Sequence, residues 1–397
     1  MAKILLNALA STAGGGTTYL RNVLPRLGAG RDAHLYLALV PEDRLADYSV
    51  FASERLRIET VRAGGAAARR FLWEQTGLRR YLKAQRIDLL ISLGNFALFA
   101  SPVPQILFNR NDLYFSDRFV KDLKARRLFP MRAGHHLKSW LARRSIRQAT
   151  LNLTPTRAFA DRILASPNLK DCPFEVLPFG FNLKSFTASE GQLPDEQLSR
   201  LNLSANCRRL LYVSHYNYYR NFETLIRALP IIKARIREEA GQEVQLVLTT
   251  EIRRGARHGE YDATAAAELI DELGLRRDIA MLGGVPYHQL HLLYRLCEVS
   301  ICPSYAESFG HPLVEAMAMG LPVVAADLPV HREVCRTAAV YFEVLDERAL
   351  AEQCLRVLNG PDLRQSLRAY GLERSQSFSW DRHARELAAL TSRVLSH

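Results

Sequence analysis

Two carboxylates in one short segment, Glu307-Ser308-Phe309-Gly310-His311-Pro312-Leu313-Val314-Glu315, carry the clearest chemical signal in the chain. Pro312 suits the first turn of a helix, where a missing amide breaks no hydrogen bond. Gly310 removes a side chain where backbone must approach a ligand. A helix running from there to about Met319, with Gly320 as its stop, would turn the amides around residues 310–314 outward. Together with the helix dipole these amides make an anion site suited to a diphosphate. Glu307, in the loop, can accept hydrogen bonds from sugar hydroxyls, and Glu315, in the first turn, can reach a pair of ribose hydroxyls. Taken singly, Glu315 reads rather as a complement to the dipole and Glu307 as a solvated loop acid. Both together around F-G-x-P favour a ligand.

The elements that position this segment read as alternating strands and helices. Strand-like apolar runs cover residues 4–9, 34–40, 88–93, 105–108, 149–153, 210–213, 244–248, 279–282, 299–302 and 322–325. Amphipathic helical stretches lie between several of them, including 17–27 and 221–236. Apolar runs bounded by turn residues and alternating with helices imply βα units and parallel sheets. These are more strands than one doubly wound domain usually holds. The expected α/β fold therefore has two Rossmann-like doubly wound domains facing a central cleft, where ligands bind at the carboxyl ends of strands. A boundary falls within residues 178–186, giving a first domain over 1–180, a second domain over 181–375 and a C-terminal helix over 376–397.

With 397 residues the chain is long enough for two such domains, and neither needs disulfide staples. Its six cysteines, at 172, 207, 297, 302, 335 and 354, form no close pair. They read as reduced thiols of a cytoplasmic protein rather than as a metal site. No run approaches the apolar length of a membrane span, and the first residues read as a strand rather than a secretion signal. The net charge of +12 is unevenly spread. Residues 118–147 hold Arg118, Lys121, Lys124, Arg126, Arg127, Arg132, Lys138, Arg143, Arg144 and Arg147 against Asp122 alone. This stretch fits an anionic membrane surface or a lipid-linked diphosphate, and equally a solvated basic helix face. Nothing beside the charge suggests nucleic acid.

Residues 299–325 resemble the E-x7-E element of family 4 retaining glycosyltransferases, which have the GT-B fold, and the likeness extends over nearly the whole chain. It implies transfer of a sugar from a nucleotide diphosphate-sugar donor to a hydroxyl acceptor, such as a surface glycan or lipid-linked saccharide. Gly14-Gly15-Gly16, before Thr17, is similar to the family's glycine-rich loop, whose amides meet donor phosphates. By the same match Val285, in the run Leu282-Gly283-Gly284-Val285, holds the base edge through its backbone. Arg220 stands where the family has a lysine on the pyrophosphate, and Phe378-Ser379-Trp380 resembles the family's final F-S-W.

The chain departs from that pattern in two places. His215 replaces an arginine, so one phosphate contact becomes weaker or pH-dependent, unless His215 only caps the strand end. Asn111 takes the place of a histidine near the donor sugar, with Asn95 as a second polar group on that side. No Asp-x-Asp triplet occurs, so the resemblance implies a metal-free enzyme with no cofactor, in which Arg220 and backbone amides neutralise the leaving diphosphate. A nucleotide-sugar epimerase of the same fold and a non-catalytic binding subunit are the competing readings.

Overall fold

The computed structural model describes residues 1–12, 14–30, 34–62, 67–188 and 191–396. It contains two parallel sheets, each in its own compact unit. The first unit comprises Met1–Ser116, Arg132–Gly180 and Ser379–His397, and the second Asp117–Met131 and Phe181–Phe378.

The first sheet is built from β1 (Lys3–Asn7), β2 (Leu35–Val40), β3 (Leu56–Thr60), β4 (Leu89–Ser92), β5 (Gln105–Phe108), β6 (Leu151–Thr154) and β7 (Phe174–Val176), in the order β3-β2-β1-β4-β5-β6-β7. The second unit adds β8 (Cys207–Tyr212), β9 (Glu243–Leu248), a hairpin of β10 (Arg257–His258) and β11 (Tyr261–Asp262), β12 (Ile279–Met281), β13 (Val299–Cys302), β14 (Val323–Ala326) and β15 (Ala339–Phe342). Its main sheet runs β12-β9-β8-β13-β14-β15. Every pairing in the two large sheets is parallel. Central strands such as β4, β5 and β13 are buried along their whole length, because helices cover both faces of a parallel sheet. These are the two Rossmann-like domains that the alternating pattern implied.

The strand order reverses beside β1 in the first sheet and beside β8 in the second. Loops leaving the carboxyl ends at such a reversal diverge to opposite faces and open a crevice. Gly14 to Gly16 follow β1 and Asn95 follows β4, while Arg220 follows β8 and Glu307 follows β13. Most of the candidate residues thus lie at the two reversal points.

The final helix, Trp380–Leu395, belongs to the first unit. Its buried side, Trp380, His383, Ala384, Leu387, Thr391 and Val394, follows the helical period. Tyr19 sits edge-on to Trp380, with ring centroids 5.8 Å apart. His383 Nδ1 lies 2.8 Å from the Pro178 carbonyl and Nε2 lies 3.0 Å from the Tyr19 hydroxyl. Burial lowers the His383 pKa to about 4. The ring is therefore neutral, with Nδ1–H donating to the carbonyl and Nε2 accepting from the tyrosine.

The basic stretch 118–147 does not form one patch on one unit. Helix Asp117–Ala125 groups with the second unit and most of helix Phe129–Gln148 with the first. Arg126 is also committed locally, to Asp122 at 2.9 Å and Glu223 at 3.0 Å, and Tyr305 donates to Asp122 at 2.6 Å.

Candidate active site

Arg220 is fixed by its own loop before any ligand arrives. The loop after β8 ends in a single 3-10 turn, Tyr218–Arg220, whose first amides are capped by Asn217; its side-chain oxygen accepts from Arg220 N at 3.1 Å. The Tyr212 hydroxyl donates to the Arg220 carbonyl at 2.8 Å. Asn221 then takes the left-handed conformation (φ 56°), which asparagine tolerates better than most residues. Its amide donates to the Pro303 carbonyl at 3.0 Å, tying this loop to the one after β13.

That tie brings Arg220 and Glu307 together. Arg220 Nη1 forms an ion pair with Glu307 Oε2, and the same nitrogen lies 3.4 Å from the buried Ser304 Oγ. The two side chains are 23% and 10% exposed, so the pair is mostly shielded from water. Burial disfavours the Arg220 charge, but the Glu307 carboxylate outweighs it and holds the guanidinium protonated. Guanidinium carries five donors, and most remain for a second anion beside Glu307.

The helix of the E-x7-E segment runs from His311 to Ala318. Gly310 precedes it at φ 85°, a conformation that favours glycine, and a Cβ there would also press on Leu313 Cδ1 at 2.8 Å. Fewer free amides point out of this helix end than expected. Pro312 has no amide, and the Leu313 amide donates to Gly310 O at 3.0 Å. Phe309 is buried, edge-on to Phe378 at 5.4 Å. His311 opens the helix with its ring 5.1 Å from that of Phe309, and Val314 is buried in the helix.

Glu315 is only 4% exposed. Tyr294 donates to its Oε2 at 2.9 Å, and Tyr287 makes a second hydrogen bond to it. Burial raises its pKa from 4.5 to about 7, against the pull of the two hydroxyls. The folded chain then keeps a proton that the unfolded chain releases, so stability should fall as pH rises through that window. Glu315→Gln should flatten this decline between about pH 4.5 and 7; denaturant midpoints across the range measure it, and an unchanged slope would exclude the assignment.

His215 lies at the surface beyond β8, and Ser214 N donates to Thr249 Oγ1 at 3.0 Å. Partial burial, Arg220 and His258 together lower the His215 pKa, so the imidazole is neutral at pH 7 and offers an N–H rather than a full charge. Val285 is half-buried in the turn after β12, following Gly283 at φ 71°.

In the first unit, Gly14 (φ 56°, ψ −135°) and Gly15 lead into helix Gly15–Gly28. At Gly16 a Cβ would stand 3.0 Å from Ser11 Cα and 3.3 Å from Arg110 Nη2. Sequence reading missed Arg110. It stacks on Tyr19 with its guanidinium carbon 5.3 Å from the ring centre, and burial lowers its pKa. Asn95, at φ 65°, accepts from the amides of Arg110 at 2.6 Å and Asn111 at 3.0 Å. Asn111 in turn caps Leu113 N at 3.1 Å. Both asparagine oxygens are spent on backbone, that of Asn95 joining the loops after β4 and β5 and that of Asn111 capping its own turn. Tyr287 and Tyr294 were missed as well, because nothing in their spacing marks them as partners of Glu315.

Among the described residues no group of three or more His, Cys, Asp or Glu side chains is placed to hold a metal ion.

Residues 195–374 match the family described as glycosyl transferases group 1. The likeness to glycosyltransferases read from residues 299–325 is borne out at that level. The matched segment contains Arg220, Glu307 and Glu315. Among curated relatives, D-inositol 3-phosphate glycosyltransferase of Thermobispora bispora is 27% identical over 198 residues, 49% of this chain and 45% of its own. O-antigen chain mannosyltransferase B of Escherichia coli is 34% identical over 103 residues, 26% of this chain and 27% of its own. The chain thus spans less than half the length of either. Sucrose-phosphate synthase from Thermosynechococcus elongatus shares the fold, with a TM-score of 0.74 at 19% identity and all of both chains covered. So does Anabaena HepE in complex with UDP-glucose, at 0.71 and 18%, covering 99% of this chain and 100% of that one.

Proposed function

We propose that the chain transfers a sugar, with retention of configuration, from a nucleotide diphosphate-sugar to a hydroxyl acceptor, and does so without a metal. The observation that carries this is the shielded Arg220–Glu307 pair at the strand-order reversal, beside the helix that begins at His311. In this reading the bond between the anomeric carbon and the diphosphate breaks while a bond to the acceptor oxygen forms. The acceptor proton passes to the departing diphosphate, so no protein base is assigned. Arg220 stabilises the charge that develops on the leaving group, with the neutral His215 adding an N–H. Glu307 holds sugar hydroxyls, the backbone at Val285 the base edge, and Gly14 to Gly16 offer amides to an anion. A ribose would engage Glu315 by displacing a tyrosine hydroxyl.

The complex of HepE with UDP-glucose supports a nucleotide-sugar donor, and the O-antigen mannosyltransferase relative supports a cell-surface glycan as acceptor. Incubation with candidate nucleotide sugars and a lipid-linked saccharide tests the proposal. Acceptor-dependent release of nucleoside diphosphate is expected. Turnover of donor to an isomer without acceptor would overturn it in favour of an epimerase.

The proposal extends to a position on the cytoplasmic face of a membrane. Among the described residues no helix is long and apolar enough to cross one. Helix Phe129–Gln148 nevertheless exposes Leu137 and Trp140, at 59% and 52%, on the same face as Arg144 and Arg147. Arg144 lies over Trp140, 5.6 Å from its ring centre. Basic residues around exposed aromatic and aliphatic groups fit an anionic interface. Phosphatidylglycerol vesicles should co-sediment the protein at low salt, and Trp140→Glu should abolish this. No binding at low salt would remove the membrane from the account.

A further inference from the structure

We propose that the second unit carries a separate binding pocket for a small multivalent phosphate. A cavity of about 520 Å³ opens between helix Leu290–Leu296, the end of helix His311–Ala318 and helix Pro361–Ser375. That volume is in the range of small-molecule sites. It borders Glu298 and Pro322, which immediately precede β13 and β14. It therefore lies at the amino ends of those strands, whereas Arg220 and Glu307 lie at the carboxyl ends.

Three arginines line it, Arg295, Arg364 and Arg368. Arg364 and Arg368 are one turn apart on the same helix face, an arrangement that costs stability unless a counter-charge is supplied. Among the described residues no carboxylate pairs with Arg364 or Arg368. Glu298 is the carboxylate in the lining, and both its oxygens are engaged by Arg209, one by the guanidinium at 3.0 Å and one by the backbone amide at 2.5 Å. Arg364 Nη1 donates to the Val357 carbonyl at 3.1 Å and to that of Leu358, leaving its other nitrogens for a ligand. Among the described residues neither Arg295 nor Arg368 forms an ion pair. Gly320 lets the Arg368 stem lie close: a Cβ there would stand 3.2 Å from Arg368 Cγ. Three guanidinium groups lining one pocket, whose carboxylate is already engaged by Arg209, suit phosphate oxygens.

The pocket is independent of the transferase reading, and each can fail alone. Hydrogen exchange with inorganic pyrophosphate as probe locates the site directly. Pyrophosphate should slow exchange at residues 319–322 and 361–368 in the wild-type protein and equally in Arg220→Ala. The surface double variant Arg295→Glu/Arg368→Glu should lose this protection, with at least a tenfold weaker affinity. Protection confined to residues 214–222 and 307–315, protection unchanged in the double variant, or none at all would each overturn the proposal.

Discussion

Replacing Arg220 with alanine should lower turnover at saturating donor by roughly 100-fold or more, about 3 kcal/mol, comparable with the loss of one preorganised donor to a developing oxyanion. The size follows from the setting. The guanidinium is mostly buried, its backbone is clamped by Asn217 and Tyr212, and no reorganisation is needed when charge appears on the leaving group. Alanine also strands Glu307 without its partner, which destabilises the fold. Arg220→Lys separates the two effects: it restores a charge for Glu307 but not the fork of donors. Lysine should recover the melting temperature more fully than the turnover. Near-normal turnover in Arg220→Ala would show that the arginine does not face the diphosphate.

A second substitution should act on folding rather than chemistry. A Cβ on Gly180 would stand 2.5 Å from Trp380 Cα and 2.6 Å from the Ser379 carbonyl carbon. Backbone, unlike a flexible side chain, cannot swing aside. The start of helix Trp380–Leu395 would have to lift off, and the His383 bond to the Pro178 carbonyl and the Tyr19 ring contacts would go with it. Gly180→Ala should cost about 3 kcal/mol, the upper end of overpacking penalties. It should lower the thermal midpoint and open residues 379–396 to protease. An unchanged midpoint would mean that the helix start is not packed on Gly180.

Central strands and helix ends were legible because they are local facts. The runs at 105–108 and 299–302 match β5 and β13, since strands buried on both faces read as continuous apolar stretches. Gly310 and Pro312 marked the start of helix His311–Ala318 through backbone chemistry alone. The strands of the two large sheets that escaped, β3, β7 and β15, all lie at sheet edges, where burial is partial and the apolar signal dilute. Contacts between distant residues escaped for another reason. Tyr294 against Glu315, Arg110 beside Gly16 and Asp122 under Tyr305 are set by how elements pack. No spacing rule relates such residues. The basic stretch shows both sides: its charge was readable, but its division between two units was not.

The claim on which the rest depends is that the segment matching group 1 holds a nucleoside diphosphate through Arg220. Titration calorimetry of the intact protein with UDP, GDP and ADP, each beside its monophosphate, tests it most directly. One diphosphate should bind more tightly than its monophosphate, and Arg220→Ala should weaken that binding at least tenfold while leaving the monophosphate nearly unchanged. Failure of all three diphosphates to bind, or binding indifferent to Arg220→Ala, would contradict the account.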